Sequence, residues 1–319
     1  MNTTQTVLVI GGAGYIGSAV VQALCDEGNK VIVFDNLSRG DKKYVDERAT
    51  FVHGDILDTE ALERTFREHP PEVVVHLVAL KAVGESEEEP ERYFDTNVVG
   101  TLNVLKAASA HNVAHVIFSS SAAVYEPTER GVYDESSHCK SASVYGTTKV
   151  INEQMISDFA RTGRIGGCTI FRYFNLAGDV GLGFVDPDPK NLFPLIAKAI
   201  AAERPIKIFG DDYPTPDGTC IRDYFHVADV VSAHLYALEK GPVGIVNLGS
   251  GTGYSVREII NAFSDVLGRD VAYEVVARRP GDPPIGIADP TKARDMLDWK
   301  AEKTIHDMVQ STLDVYGKQ

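Results

Sequence analysis

The stretch VLVIGGAGYIGSAV, residues 7–20, constrains this chain more than any other. An apolar, β-branched run stops at a cluster of glycines, and a helical pattern starts directly after it. A tight turn, a close backbone approach and tight helix–sheet packing each require a missing Cβ, which Gly11, Gly12, Gly14 and Gly17 supply. The helix start around Tyr15 and Ile16 then presents free N–H groups to an anion. The next strand-like run, KVIVFD, ends on the acidic Asp35. Strand, glycine turn, helix and acid in this order predict a dinucleotide site, with Asp35 accepting from the adenosine ribose. A 2′-phosphate would meet a like charge there, so NAD is expected over NADP. Arg39 is the one nearby group that would favour the phosphate.

The rest of the first half repeats the same grammar. TVLVI (6–10), KVIVFD (30–35), TFVHGD (50–55), EVVVHLV (72–78), HVIFSS (115–120) and CTIFRYF (168–174) read as strands. Segments with apolar residues at three- and four-residue spacing separate them, among them one helix through 91–111 and another through 143–162. Strands apolar on both faces, alternating with helices, predict an α/β fold with a doubly wound parallel sheet. From about Gly178 the pattern changes to long loops rich in Gly, Pro and Asp. A helix at 226–240 and a strand at 244–250 return to the sheet, and SVREIINAFSDVLG, VAYEVV and DPTKARDML predict a smaller α/β lobe. The expected division is 1–178 plus about 225–249 for the dinucleotide domain, and about 179–224 plus 250–319 for the second. The acidic run ESEEEPE (85–91) reads as a solvated helix entrance.

With 319 residues and 44% apolar content, the chain can bury a full core. A formal net charge of -14 disfavours nucleic acid and anionic membrane as partners. Cys25, Cys139, Cys168 and Cys220 have no paired spacing, which suits a reducing compartment. No apolar run is long enough to span a bilayer, and MNTTQTVLVIGGAG lacks the marks of a secretory leader, so the cytoplasm is expected. No spacing suggests a metal site; His76 and His226 read as structural, and His138 has no metal-ligand spacing to either.

VYGTTKV, residues 144–150, places Tyr145 one helical turn before Lys149. A phenol titrates near pH 10, so Tyr145 serves as a base at neutral pH only if its anion is stabilised, and the lysine supplies a charge for that. Upstream, HVIFSSSAAVY puts serines at a strand's C-terminal end, where open α/β sheets carry their sites. Ser121 is then placed to bond the same substrate oxygen as Tyr145.

Glycine turn, strand-end serine and Tyr-x-x-x-Lys together resemble the extended short-chain dehydrogenase/reductase superfamily, and within it the UDP-glucose 4-epimerase (UDP-galactose 4-epimerase) family. The carrying stretches are GGAGYIGS, FDNLSRG, LKAVGES, NVVGTLNVL, FSSSAAVY, YGTTK, RYFNLAG, FGDDYPTPDGTCIRDYFHV and RRPGD. The resemblance implies that Tyr145 is the catalytic base, Lys149 its activator and nicotinamide-ribose ligand, and Ser121 its partner. It implies that Asp35 and Asn36 hold the adenosine, Asp55 and Ile56 the adenine, and Lys81 the cofactor phosphates, with Asn97 and Ser119 along the nicotinamide half. On the substrate side it implies that Asn175 and Asn191 contact a UDP-sugar, Arg222 and Arg279 its diphosphate, and Asp282 its ribose. Two guanidiniums suit a buried diphosphate because they pair bidentately with phosphate oxygens. Ala79, Ala123, Glu126 and Val144 depart from the family pattern without removing a proposed catalytic group.

Related members share an opening oxidation at C4 and differ afterwards. The 4,6-dehydratases carry Thr-Asp-Glu at the strand end; here Ser121-Ala122-Ala123 stands instead, which implies epimerisation through a transient 4-keto sugar. A non-catalytic regulator would be expected to lose the Tyr–Lys pair. Gly286 aligns where members restricted to plain hexoses carry tyrosine, implying that N-acetylhexosamines also fit. The resemblance also implies a homodimer built from helices near 91–110 and 145–162.

Overall fold

The computed structural model describes residues 4–128, 130–187, 189–279 and 281–317; Pro280 of the RRPGD stretch and Asp188 of the preceding long loop lie outside them. The larger lobe is a seven-stranded parallel sheet. Its strands are β1 (Thr6–Ile10), β2 (Lys30–Asp35), β3 (Thr50–His53), β4 (Val73–His76), β5 (His115–Ser121), β7 (Cys168–Tyr173) and β11 (Gly244–Leu248). Their order is β11-β7-β5-β4-β1-β2-β3, and β6 (Val132–Tyr133) belongs to another sheet. The chain winds outward from β1 to β3, then crosses back to β4 beside β1, so the order reverses between these two strands. A reversal of this kind opens a crevice at the carboxyl ends of the strands.

Alternation along each strand divides the core. Val7 and Val9 face one side with Val20, Val21 and Leu24 of α1 (Tyr15–Asp26) and with Val230, Ala233 and Ala237 of α8 (Val227–Lys240). Leu8 and Ile10 face the other, against α2 (Thr59–Glu68), α5 (Gly100–Ala110) and α6 (Val144–Arg161). Asp58 caps α2 and Ser143 caps α6, accepting from Gly146 N at 3.1 Å.

The smaller lobe has its own core. Phe193 and Ile196 of α7 (Leu192–Ala201), Ile206 and Ile208 of β9 (Ile206–Phe209), and Ile259 and Phe263 of α9 (Val256–Leu267) meet Met308 and Val309 of α11 (Ile305–Tyr316). Here β9 pairs with β13 (Tyr273–Val276). Between the lobes runs β10 (Ile221–His226), flanked by β12 (Gly253–Ser255), β14 (Ile285–Ala288) and β8 (Asn175–Ala177).

Two features differ from the sequence reading. DPTKARDML forms α10 (Thr291–Leu297), yet Ala293, Leu297 and Trp299 join the core of the larger lobe instead of the smaller one. Trp299 Nε1 donates to Asp229 O at 2.9 Å, which anchors this return. The expected helix through 91–111 comprises α4 (Pro90–Tyr93), a π-helical stretch Phe94–Val99 and α5. Thr101 Oγ1 donates to the carbonyl of Asn97 four residues back at 2.6 Å, and Asn152 Nδ2 donates to the same carbonyl at 2.8 Å. Side chains inserting into the backbone ladder widen a helix in this way. The acidic run lies within α3 (Val83–Glu88) and the start of α4, with Glu87, Glu88, Glu89 and Glu91 exposed as a solvated run is; Glu85 accepts from Tyr93 at 2.8 Å, and Glu87 accepts from the first amide of α6, Val144 N, at 2.8 Å. Among the described residues no helix is long and apolar enough to cross a membrane.

Candidate active site

The glycine turn sits at the crevice. Gly11 adopts φ +89°, a conformation open to glycine, and its N–H donates to Phe34 O at 2.9 Å. A Cβ on Gly17 would collide with the Gly11 carbonyl, so the first turn of α1 lies directly on the loop before it. No side chain caps α1 and its first turn carries no acid, leaving the positive helix end open to a phosphate. Asp35, buried at the end of β2, accepts from Ala13 N at 3.0 Å and from Leu37 N at 2.8 Å. It therefore shapes the turn, and each oxygen keeps a further lone pair for a ribose hydroxyl. Asn36 donates to Asp55 at 2.7 Å, and Ile56 packs against Gly100. These residues fit an adenine dinucleotide without rearrangement of the turn.

The second cluster lies at the C-terminal end of β5. The Ser121 hydroxyl accepts from Ala123 N at 3.2 Å and stands on the Tyr145 phenol's side of the turn. Burial pushes the phenol above its ordinary pKa, and the Ser121 hydroxyl near it pulls it partly back. Lys149, fully enclosed, donates to Ser119 O at 2.6 Å, with Nζ 5.9 Å from the Tyr145 ring centroid. Burial draws its pKa down to about 7, and the Glu153 carboxylate opposes the fall. Gly146 lets α6 touch the Ser121–Ala123 turn, since a Cβ there would strike Ala123 O and Ser141. Asn97, in the π-helical stretch, donates to Leu80 O and Thr148 Oγ1 at 3.0 Å each and accepts from Leu80 N at 2.8 Å. It rivets the strand β4 exit to α6.

The remaining residues spread across the interlobe side. Lys81 lies 3.7 Å from Asp186 of the smaller lobe. Asn175 donates to Asp223 O at 3.1 Å, and Asn191 lines a cleft with Tyr15, Phe184 and Tyr316. Arg222 pairs with Asp282, and Gly286 is its direct neighbour in the β10–β14 register. A Cβ at Gly286 would meet only the Arg222 Cδ, at 3.5 Å, so the space beside it is open. Arg279 lies over the Phe209 ring at 4.0 Å, and its carbonyl accepts from Asp282 N at 3.4 Å.

The histidines take structural positions. His76 bonds Thr101 at 3.0 Å and burial draws it to about 3; His226 caps α8 through Ala228 N at 3.0 Å. His138 is exposed, 4.0 Å from Glu126.

Sequence reasoning missed three contributors. Ser86, fully buried in the LKAVGES stretch, accepts the amide of Tyr145 at 3.1 Å. Phe184 packs between Tyr15 and Tyr44, with ring centroids 5.6 and 4.7 Å away, fastening the interlobe loop over the start of α1. A lone aromatic in a Gly–Asp loop was the available signal. Glu153 and Arg172 form a buried ion pair behind Ser120.

A dinucleotide turn and a Tyr–Lys–Ser cluster at the strand ends define a class, and the comparisons place the chain in it. The chain belongs to the NAD dependent epimerase/dehydratase family, which it matches over residues 7–249. It is 39% identical over 320 residues to the UDP-glucose 4-epimerase of Bacillus subtilis (strain 168), covering 95% of this chain and 94% of that one. A crystal structure of UDP-glucose-4-epimerase from Stenotrophomonas maltophila with bound NAD and formylated UDP-arabinopyranose superposes with a TM-score of 0.94 at 37% identity, covering 98% of both chains. The UDP-glucose 4-epimerase of Bifidobacterium longum, in complex with NAD+ and UDP, gives 0.91 at 38% identity and 99% of both.

Proposed function

We propose that the protein is an NAD-dependent 4-epimerase of UDP-hexoses. The observation that carries this is the end of β5. Ser121 stands near the Tyr145 phenol and lowers its pKa, and Ala122 and Ala123 follow it where a dehydratase needs acids. When bound, NAD supplies the oxidation and reduction at C4 of the sugar. Tyr145 takes the proton of the 4-hydroxyl, Ser121 holds the same oxygen, and the Lys149 charge lowers the cost of the phenolate. With no acid at the strand end to move protons at C5 or C6, the 4-keto sugar turns over, and Tyr145 returns its proton to the C4 oxygen while C4 would regain its hydride on the opposite face from bound NAD. Asp35, Asn36, Asp55, Ile56, Lys81 and the turn at Gly11, Gly14, Tyr15, Ile16 and Gly17 hold the cofactor, with Asn97 and Ser119 along its nicotinamide half. Arg222, Arg279, Asp282, Asn175 and Asn191 grip UDP, which leaves the hexose free to rotate.

The open space at Gly286 supports a wider sugar range. A wall built by a ring excludes an acetamido group; glycine builds no wall. UDP-GlcNAc and UDP-GalNAc are therefore substrates alongside UDP-glucose and UDP-galactose, and Gly286→Tyr abolishes only the acetylated activity. Phe94 and Val99, exposed large apolar side chains on the π-helical stretch, support a homodimer through this helix and α6. Four free thiols, three of them buried, fit the cytoplasm.

The test is direct: purified protein with UDP-galactose and no added cofactor yields UDP-glucose. Failure to do so even with NAD supplied refutes the assignment. Turnover of plain but not acetylated sugars refutes only the role of Gly286.

A further inference from the structure

Behind the Tyr145–Lys149 pair lies a buried charge pair that the proposed chemistry does not use. Glu153 is one turn past Lys149 and two past Tyr145 on α6, so the three share a helix face. Arg172 is the partner of Ser120 in the β5–β7 register. One Glu153 oxygen accepts from the Ser120 hydroxyl at 2.5 Å and from Arg172 Nε at 2.9 Å; the other accepts from Arg172 Nη2 at 2.6 Å. The remaining Arg172 nitrogen donates to the Tyr125 hydroxyl at 3.0 Å and Glu135 O at 3.3 Å, and Tyr125 donates to Asn247 at 2.6 Å. Ser120 precedes Ser121 and Tyr125 follows it by four residues, so the network grips the Ser121 turn from both sides.

Both side chains are almost wholly enclosed, at 4% and 7% exposure. A buried ion pair is often no more stabilising than apolar residues of the same volume, so stability does not account for it. Its position does. We infer that the Glu153–Arg172 pair is a positioning device for the reaction: it fixes the Ser121 turn against α6 and sets the electrostatic balance under Tyr145 and Lys149.

The other groups facing the pair and Lys149 are few. On α6 there is Tyr145 itself; His76 comes from β4, and Tyr125, Glu135 and Cys139 from the segment between β5 and α6. Burial pushes the tyrosines and Cys139 up and His76 down, so these are neutral near pH 7. Glu135 is fixed to Asn247 N at 2.7 Å. Glu153 is the charge that acts on Lys149 from behind, and Arg172 is the charge that balances it.

The inference rests on the proposed roles of Tyr145 and Lys149, and its test reads titration as well as turnover. The pH profile of kcat/KM is measured for wild type, Glu153→Gln, Arg172→Gln and the double variant. The phenolate is titrated by ultraviolet difference against the same chains carrying Tyr145→Phe. Glu153→Gln leaves the Arg172 charge unbalanced and moves both limbs and the Tyr145 titration to lower pH by about one unit. Arg172→Gln leaves the carboxylate unbalanced and moves them to higher pH. The double variant returns them to the wild-type position at a lower kcat. Arg172→Lys keeps the charge but loses the forked grip, so it lowers kcat and leaves the limbs in place. A purely structural role lowers activity without moving any titration, and unmoved titrations, or shifts of the same sign in both single variants, overturn the inference. Should a single variant fail to fold, the double variant and Arg172→Lys decide it: a displaced titration in either, or wild-type kcat in Arg172→Lys, is contrary. A wild type that epimerises nothing refutes the proposed function, and is distinguished by a phenolate titration that still responds to the pair.

Discussion

At the scale of single residues, Tyr145 is a weak acid held in an apolar place, and burial alone makes it a worse base. Ser121 offsets part of that, and Lys149 supplies the counter-charge once the phenolate forms. Lys149 itself sits near the midpoint of its titration at neutral pH. Replacing the phenol removes the proposed proton acceptor while leaving the pocket intact. Tyr145→Phe is expected to bind NAD and UDP-sugar normally and to lose roughly two to four orders of magnitude in kcat. Stopped-flow or product assays with cofactor content measured in parallel check this; a near-normal rate contradicts it. The Tyr145–Lys149–Ser121 set was legible because its members lie close in sequence or on one strand end. Ser86, Glu153 and Arg172 were not, because their meaning comes from partners 59, 33 and 19 residues away. A serine, a glutamate and an arginine each have many ordinary uses, and only the fold chooses among them.

At the scale of elements, the glycine turn was readable because a missing Cβ is a local requirement. The structure ties that requirement to a contact: α1 begins against the Gly11 carbonyl. Gly17→Ala forces the helix away from the turn, which is expected to cost about 1–3 kcal/mol and to empty the cofactor site. Bound NAD per purified chain and the urea midpoint test it; unchanged cofactor content would show that the close approach is dispensable. The π-helical stretch Phe94–Val99 was not readable, since its apolar spacing is that of an ordinary helix and its cause is a side-chain bond to a backbone carbonyl. The destination of α10 was equally hidden: Ala293 and Leu297 suit either core, and Trp299 reaching Asp229 O decides it.

At the scale of the molecule, the parallel sheet followed from strands apolar on both faces, and the second lobe from the change in composition after Gly178. Acid sensitivity belongs to this scale as well. His76 is held down to about 3, and His115, His226 and His234 to about 4, in each case chiefly by burial. Each is neutral in the folded protein and protonates near pH 6.5 when unfolded, so the unfolded chain binds more protons between these limits. Stability is full above pH 6.5 and is lost as pH falls towards 4, at about 1.4 kcal/mol per unit per histidine. Asp223 and Asp229, pushed up by burial, oppose the loss at the lower end. Urea midpoints at pH 7, 6 and 5 should fall steadily, and His234→Gln should flatten the slope; a midpoint independent of pH contradicts the account.

On the proposed mechanism, one site oxidises and re-reduces the same carbon. UDP-galactose deuterated at C4 and incubated in ordinary water, with no cofactor added, measures this in one step by mass spectrometry and NMR. This mechanism yields UDP-glucose that retains the label at C4. UDP-glucose with the label lost to solvent, or a 4-keto-6-deoxy product in its place, would contradict it.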